Sequence, residues 1–288
     1  MSALRFRTLI DSILTYPRYL GVIKPKLMNA REAHLAPLLQ AYNAGWWPKA
    51  LEVPVAKRIL VLAPHPDDES IGCGGFLLAH KGHADVRVVN VYNGDGGGQL
   101  DGESVSSSPD YRERLARARA SELDAAAEML GASQVDRLDV SDVDGVPAEK
   151  EREFLRQVLS TFQPQVVLLP WLLDSHQHHK EVNALYACVG DNCDAMVLAY
   201  EIWSLLTPNA YVDISEVSLQ KEKLISIYQT QLRTVDYISL SNGLAKVRAF
   251  QCSARPDRSG AVEAYMALPS KDYCELVRAC YGAGSDVP

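Results

Sequence analysis

The 288-residue chain contains no run of 18 or more apolar residues, so no membrane-spanning helix is expected. It lacks any C-x-x-C pair. Its six cysteines, at 73, 188, 193, 252, 274 and 280, are scattered, which disfavours both a thiolate zinc site and a disulfide frame. Reduced thiols and a cytoplasmic location are the expectation. Basic charge is also in deficit. Lys and Arg total 29 against 36 Asp and Glu, a net charge of −7, which is the wrong sign for a nucleic-acid binder. No compact apolar core with a small-residue cleavage site opens the chain, so a secretory leader is not expected. No internal repeat, low-complexity tract or clear linker divides it.

A composition 47% hydrophobic is ample for a core. The chain reads as one domain over residues 51–288 with an N-terminal extension over 1–50 packed on it. Within residues 1–31, Arg5, Arg7, Arg18, Lys24, Lys26 and Arg31 face only Asp11, interleaved with apolar residues. A packed helix with its basic face in water is the simpler account, because two prolines interrupt the stretch. Peripheral contact with an anionic membrane surface is the alternative.

From residue 57 onward, strand and helix signals alternate. "KRILVLA", "DVRVVNVY", "VDRLDV", "QVVLLP" and "AMVLAYEIW" read as strands. Between them, "YRERLARARASELDAAAEMLG", closed by Gly131, "AEKEREFLRQVLSTF" and "KEVNALYACVG" read as helices. "EVSLQKEKLISIYQTQL" predicts one further helix, and residues 232–288 a short strand and helices. The fold class is therefore α/β: a Rossmann-like parallel sheet with helices on both faces, and a ligand site at the C-terminal ends of its strands. Residues 94–110, "GDGGGQLDGESVSSSPD", form a long loop at that edge, read as a lid or as a surface excursion.

The first strand ends in "PHPDDESIGCGG", which crowds one histidine against three carboxylates. Such a group is costly to bury unless a positive charge sits within it. The fourth strand ends in "WLLDSHQHHKEV", with His176, His178 and His179. The topology brings both clusters to one rim. A catalytic zinc site needs about three protein ligands and an open position. His65 and Asp68 supply two, and a histidine of the second cluster closes the set. Asp67, facing elsewhere, is placed to take a proton from water that the ion activates.

These residues resemble the PIG-L/LmbE-like zinc-dependent N-acetylglucosamine deacetylases. "PHPDDE" (64–69) is similar to their A-H-P-D-D-E signature, with Gly72, Gly74 and Gly75 following, and "HQHH" (176–179) to their H-P-D-H. "RASELDAAAEMLG", "YEIWS" (200–204) and "VDIS" (212–215) also resemble members, so the likeness runs from about residue 57 to 270. It implies His65, Asp68 and His179 as ligands of Zn²⁺, or of another divalent transition metal such as Fe²⁺. It implies Asp67 as general base, His176 as the group that protonates the leaving amine or steadies the oxyanion, and Arg119 as a substrate contact. Pro64 replaces an alanine. His178 stands where the family has an aspartate that orients the first histidine of the motif, and Asp174 is the candidate substitute.

A capped helix start would explain one acid of "HPDDE" but not His65 and the second acid. Glu69 reads as structural, paired with an arginine or a backbone amide. Trp171 and Trp203 suit sugar stacking or the core equally. Cys73 reads as a buried apolar side chain, and His80 and His83 need no function. The expected activity is hydrolysis of the N-acetyl group of a small-molecule N-acetylglucosamine-type amino sugar or its conjugate, glycan- and lipid-linked ones included. An amidase for another N-acyl conjugate, such as a thiol or an antibiotic, and a non-catalytic metal-containing sugar-binding protein are the rivals.

Overall fold

The computed structural model describes residues 48–282 apart from 54, 253–256 and 258. Residues 1–47, with the basic stretch, lie outside the described residues. The elements in chain order are β1 (Lys49–Ala50), β2 (Arg58–Ala63), α1 (Asp68–His80), β3 (Asp85–Tyr92), α2 (Pro109–Leu130), β4 (Gln134–Val140), α3 (Glu149–Phe162), β5 (Val166–Pro170) and α4 (Gln177–Ala187). After a single 3₁₀ turn come β6 (Met196–Tyr200), β7 (Ala210–Asp213), α5 (Ser218–Ile225), α6 (Gln229–Leu232), α7 (Tyr237–Cys252), β8 (Val262–Pro269) and α8 (Ser270–Tyr281). No described helix is long and apolar enough to cross a membrane.

The eight strands form a sheet in the order β1-β7-β8-β6-β5-β2-β3-β4. From β2 the chain steps outward to β3 and β4, all parallel, then returns across the sheet to lay β5 on the free side of β2. The direction of winding reverses between β2 and β5, and a crevice opens where two neighbouring strands send their following segments to opposite sides. The five strands read from the sequence are β2 to β6. The sheet is mixed, because β8 runs antiparallel to both β6 and β7.

Burial explains why the parallel strands read as unbroken apolar runs. Leu60 and Leu62 of β2, Val167 and Leu169 of β5 and Val197 and Ala199 of β6 face one core with residues of α3, α4 and α8. Their neighbours Ile59, Val61, Val166, Leu168 and Leu198 face the other core, with Phe76 and Leu77 of α1, Leu130 of α2 and Leu224 of α5. Successive strand residues point to opposite faces, so a sheet covered on both sides needs an apolar residue at every position.

Three local differences from the sequence reading bear on the site. Helix α4 begins at Gln177, so His178 and His179 lie in its first turn rather than in a loop. The single helix expected over 216–232 breaks at Ser226–Tyr228 into α5 and α6, which turns the Tyr228 side chain inward. Helix α1 is kinked at Cys73 (φ −141°, ψ 18°). The kink releases backbone groups that are satisfied from afar: Gly75 and Phe76 N–H each donate to the Glu263 carboxylate at 2.7 Å, and Lys221 Nζ donates to Ile71 O at 2.8 Å. All six cysteines are free, with Cys73 buried.

Candidate metal centre

Past Ala63 the chain turns through Pro64 and Pro66 and enters α1 at Asp68. The turn is held by its own side chains. Asp68 Oδ2 accepts from His65 N–H at 2.9 Å and lies 3.0 Å from His65 Nδ1. Asp67 adopts φ 143°, ψ −28°, a conformation that L residues rarely occupy and that costs on the order of 1–3 kcal/mol. It persists because its surroundings fix it. Its carbonyl accepts from Ser70 and Ile71 N–H at 3.0 and 2.9 Å, and its N–H donates to Glu69 Oε2 at 3.3 Å. Glu69 is fully buried and also accepts from the Ser70 and Tyr228 hydroxyls, so it is structural, paired with an amide and hydroxyls rather than an arginine.

At the end of β5, Asp174 shapes the second cluster. Its carboxylate accepts from the backbone N–H of His176 at 2.9 Å, Trp203 at 2.9 Å and Ser204 at 3.2 Å. His176 caps α4, its Nδ1 accepting from His178 N–H at 3.3 Å. The one-residue step from His178 to His179 on a helix sends the two rings in different directions. His179 is fully buried, with Nε2 3.4 Å from Asp68 Oδ2 and Nδ1 3.4 Å from Asp174 Oδ1. His178 is half-buried and stacks on Tyr92, centroids 4.0 Å apart at 15°, with Nδ1 2.8 Å from His65 Nε2.

Asp174 thus faces His179, whereas its expected place was beside the His176 ring. A carboxylate behind a histidine that faces a metal site fixes the tautomer and ring orientation. The only sequence signal for this role is its distance of five residues from His179, and the helix start decides which histidine it meets.

The donor atoms of His65, Asp68 and His179 lie within 4.8 Å of one another, all three residues buried. Both ring nitrogens of His179 are buried without a hydrogen-bond partner. Burial alone would push its imidazole down, but the Asp68 and Asp174 carboxylates outweigh it and raise it to about 9 from 6.5. Burial would lift the Asp68 carboxyl, yet the His179 and His65 imidazoles hold it below the usual carboxylate range. The pocket therefore calls for a positive charge between these three groups. Two imidazole nitrogens and a carboxylate oxygen are a donor set that suits zinc and neighbouring divalent transition metals, so the residues fit a metal ion.

Asp67 differs from Asp68. Burial drives its carboxyl well above the usual range, against the pull of Arg119. His176 is lowered to about 4, first by burial and then by the neighbouring imidazoles. At neutral pH its ring is uncharged, and with Nδ1 accepting from the backbone the proton sits on Nε2.

Arg119 of α2 is 2% exposed, and its guanidinium is turned into the rim. It donates to the carbonyls of Pro66 at 2.9 Å, Gly94 at 3.3 Å and Gly97 at 3.1 Å, and lies 3.3 Å from Asp67 Oδ1. It also borders a cleft of about 360 Å³, with His65, Asp67, Asp68, His176, His178 and Trp203 among the lining. Trp203 is 53% exposed beside His176, while Trp171 is core.

Gly96–Gly98 of the long loop form one wall of this cleft. The start of the loop is tied down, whereas residues 104–110 beyond it are exposed. Asp142 accepts from Gly94 N–H at 2.8 Å, Gln231 Nε2 donates to Gly97 O at 2.9 Å, and Arg112 bonds Asp95 at 2.6 Å. Gln231, Asp142 and Tyr237 of the cleft carry no sequence signal, because each reaches the rim from a different element.

Residues 60–189 match the family described as PIG-L: GlcNAc-PI de-N-acetylase. The diacetylchitobiose deacetylase of Thermococcus kodakarensis is 29% identical over 196 residues, covering 61% of this chain and 70% of that protein. The structure of N,N'-diacetylchitobiose deacetylase from Pyrococcus horikoshii aligns with a TM-score of 0.63 at 22% identity, over 86% of this chain and 96% of that one. The 4-carboxy-2-hydroxymuconate hydratase of Pseudomonas putida aligns at 0.61 and 22%, over 74% and 96%. Deacetylases and a hydratase share this fold, so the architecture alone does not choose the reaction.

Proposed function

Residues 60–189 match the PIG-L family, and from that premise we propose that the chain is a metal-dependent N-deacetylase of N-acetylglucosamine-type amino sugars or their conjugates. The observation that carries the proposal is the convergence of His65, Asp68 and His179, all three buried and the ring nitrogens of His179 without a hydrogen bond, with Asp67 and His176 on the same cleft.

His65, Asp68 and His179 would hold the ion, with zinc the first candidate. When bound, it supplies Lewis acidity towards water and an amide carbonyl. Asp67 takes the proton of the attacking water, a task for which a carboxyl held above the usual carboxylate range by burial is suited. The neutral His176 donates from Nε2 to the oxygen of the tetrahedral carbon, because an imidazole at about 4 is a hydrogen-bond donor and a poor source of a full proton. The proton held by Asp67 then goes to the departing amine, leaving acetate and the free amino sugar. Trp203 offers its exposed face to a sugar ring. Arg119 contributes through Asp67 and the Gly94–Gly97 wall, with any substrate contact made from that fixed position.

The test is amine release from a panel of N-acetyl sugars and N-acyl conjugates. Asp67→Asn should lower kcat by about 10²–10⁴-fold while the protein keeps its metal. Retention of most of the rate would show Asp67 is not the base, and release from non-sugar conjugates alone would move the substrate class.

A further inference from the structure

The role of His178 follows from lone-pair arithmetic at His65. A neutral imidazole has one lone pair and one N–H. At His65, Nδ1 faces Asp68 Oδ2 at 3.0 Å, on the side shared with His179. When that nitrogen gives its lone pair to a cation, Nε2 must carry the proton. Nε2 has one close neighbour to receive it, His178 Nδ1 at 2.8 Å. His65, His176 and His178 also approach within 4.8 Å as a second trio. Because His65 belongs to both trios and has one lone pair, filling the inner group turns the outer contact into a hydrogen bond.

We infer that His178 is the positioning residue of the metal ligand His65, accepting its Nε2–H through Nδ1 and so setting its tautomer and ring plane. This rests on the metal site proposed above. The His178 ring is itself held in place. It lies flat on Tyr92, whose hydroxyl donates to Glu181 one turn along α4, and Glu181 accepts from Gln177 Nε2 at 2.9 Å. The acceptor therefore belongs to a braced unit made of α4 and the end of β3. A neutral acceptor polarises the ligand less than a carboxylate would, so the affinity of the inner site is set partly at position 178.

The test measures Zn²⁺ and Co²⁺ affinity of the full chain by chelator competition, with X-ray absorption to count imidazole ligands. His178→Leu removes the acceptor and should weaken binding by about 10–100-fold. His178→Asn restores an oxygen acceptor near the Nδ1 position and should recover affinity to within about threefold of the parent. The imidazole count should stay at two in all three proteins. The inference is overturned if the Leu variant binds as tightly as the parent, or if the Asn variant is weakened as much as the Leu variant. A count that falls by one also overturns it, since His178 would then be a ligand. If the Leu variant does not fold, the Asn variant and the parent's ligand count decide. A parent that binds neither metal removes the proposed site along with the inference, whereas tight binding indifferent to position 178 removes the inference alone.

Discussion

Asp67 and Asp68 are adjacent, chemically identical and opposite in behaviour. The His179 and His65 imidazoles hold Asp68 ionised, whereas burial pushes Asp67 up, with Arg119 as the main restraint. The distinction comes from the φ of 143° at Asp67, which turns two neighbouring carboxylates towards different partners. A base works only when deprotonated, so the rate should fall as pH drops through the Asp67 pKa. Arg119→Gln removes the cation that favours the charged form. The pKa of Asp67 then rises, and the acid limb of the pH–rate profile should move to higher pH by about one to three units. An unmoved limb would show that Arg119 does not tune this carboxyl. At this scale the sequence was informative about His65, Asp67 and Asp68, because their chemistry is packed into four consecutive residues. It was silent on Asp174 as the partner of His179, since a helix start had to be placed first.

At the scale of elements, the site depends on a kinked helix. The broken turn at Cys73 lets α1 leave the rim, and the carboxylate that receives the freed amides lies 188 positions along the chain from Gly75. Glu263 and Lys221 are both buried, 2.8 Å apart. Glu263→Gln would face the Gly75 and Phe76 donors with an amide and leave the Lys221 charge unpaired. It should cost about 3–5 kcal/mol in denaturant unfolding. A loss below about 1 kcal/mol would show that the kink is held by packing alone. Gly72 is the companion feature, because a Cβ there would overlap the Tyr200 ring, whose hydroxyl donates to Leu62 O at 2.9 Å. Gly72→Ala should therefore destabilise by about 1–3 kcal/mol through displacement of β6 against α1. The glycines after "HPDDE" are visible in the sequence as a motif, but their reason is visible only in the packing. The antiparallel β8 and the four-residue β7 were not legible in direction or in pairing, because short apolar runs do not encode which edge they join.

For the whole molecule, the reversal of winding between β2 and β5 is what makes the two motifs one site. Alternating strand and helix periods announce the βαβ units, and both histidine-bearing clusters sit immediately after apolar runs, so the C-terminal rim was readable as their meeting place. The cleft walls were not, since Gly96–Gly98, Asp142, Gln231 and Tyr237 converge only after the sheet is built. The proposed deacetylation requires a divalent cation held between His65, Asp68 and His179. The direct measurement strips the purified full-length protein with a chelator, confirms the loss by metal analysis, and follows amine release from N-acetylglucosamine linked to nucleotide, lipid or glycan. The expected result is loss of turnover on stripping and its return with one equivalent of zinc or another divalent transition metal per chain. Full turnover by protein shown to be free of metal would contradict it.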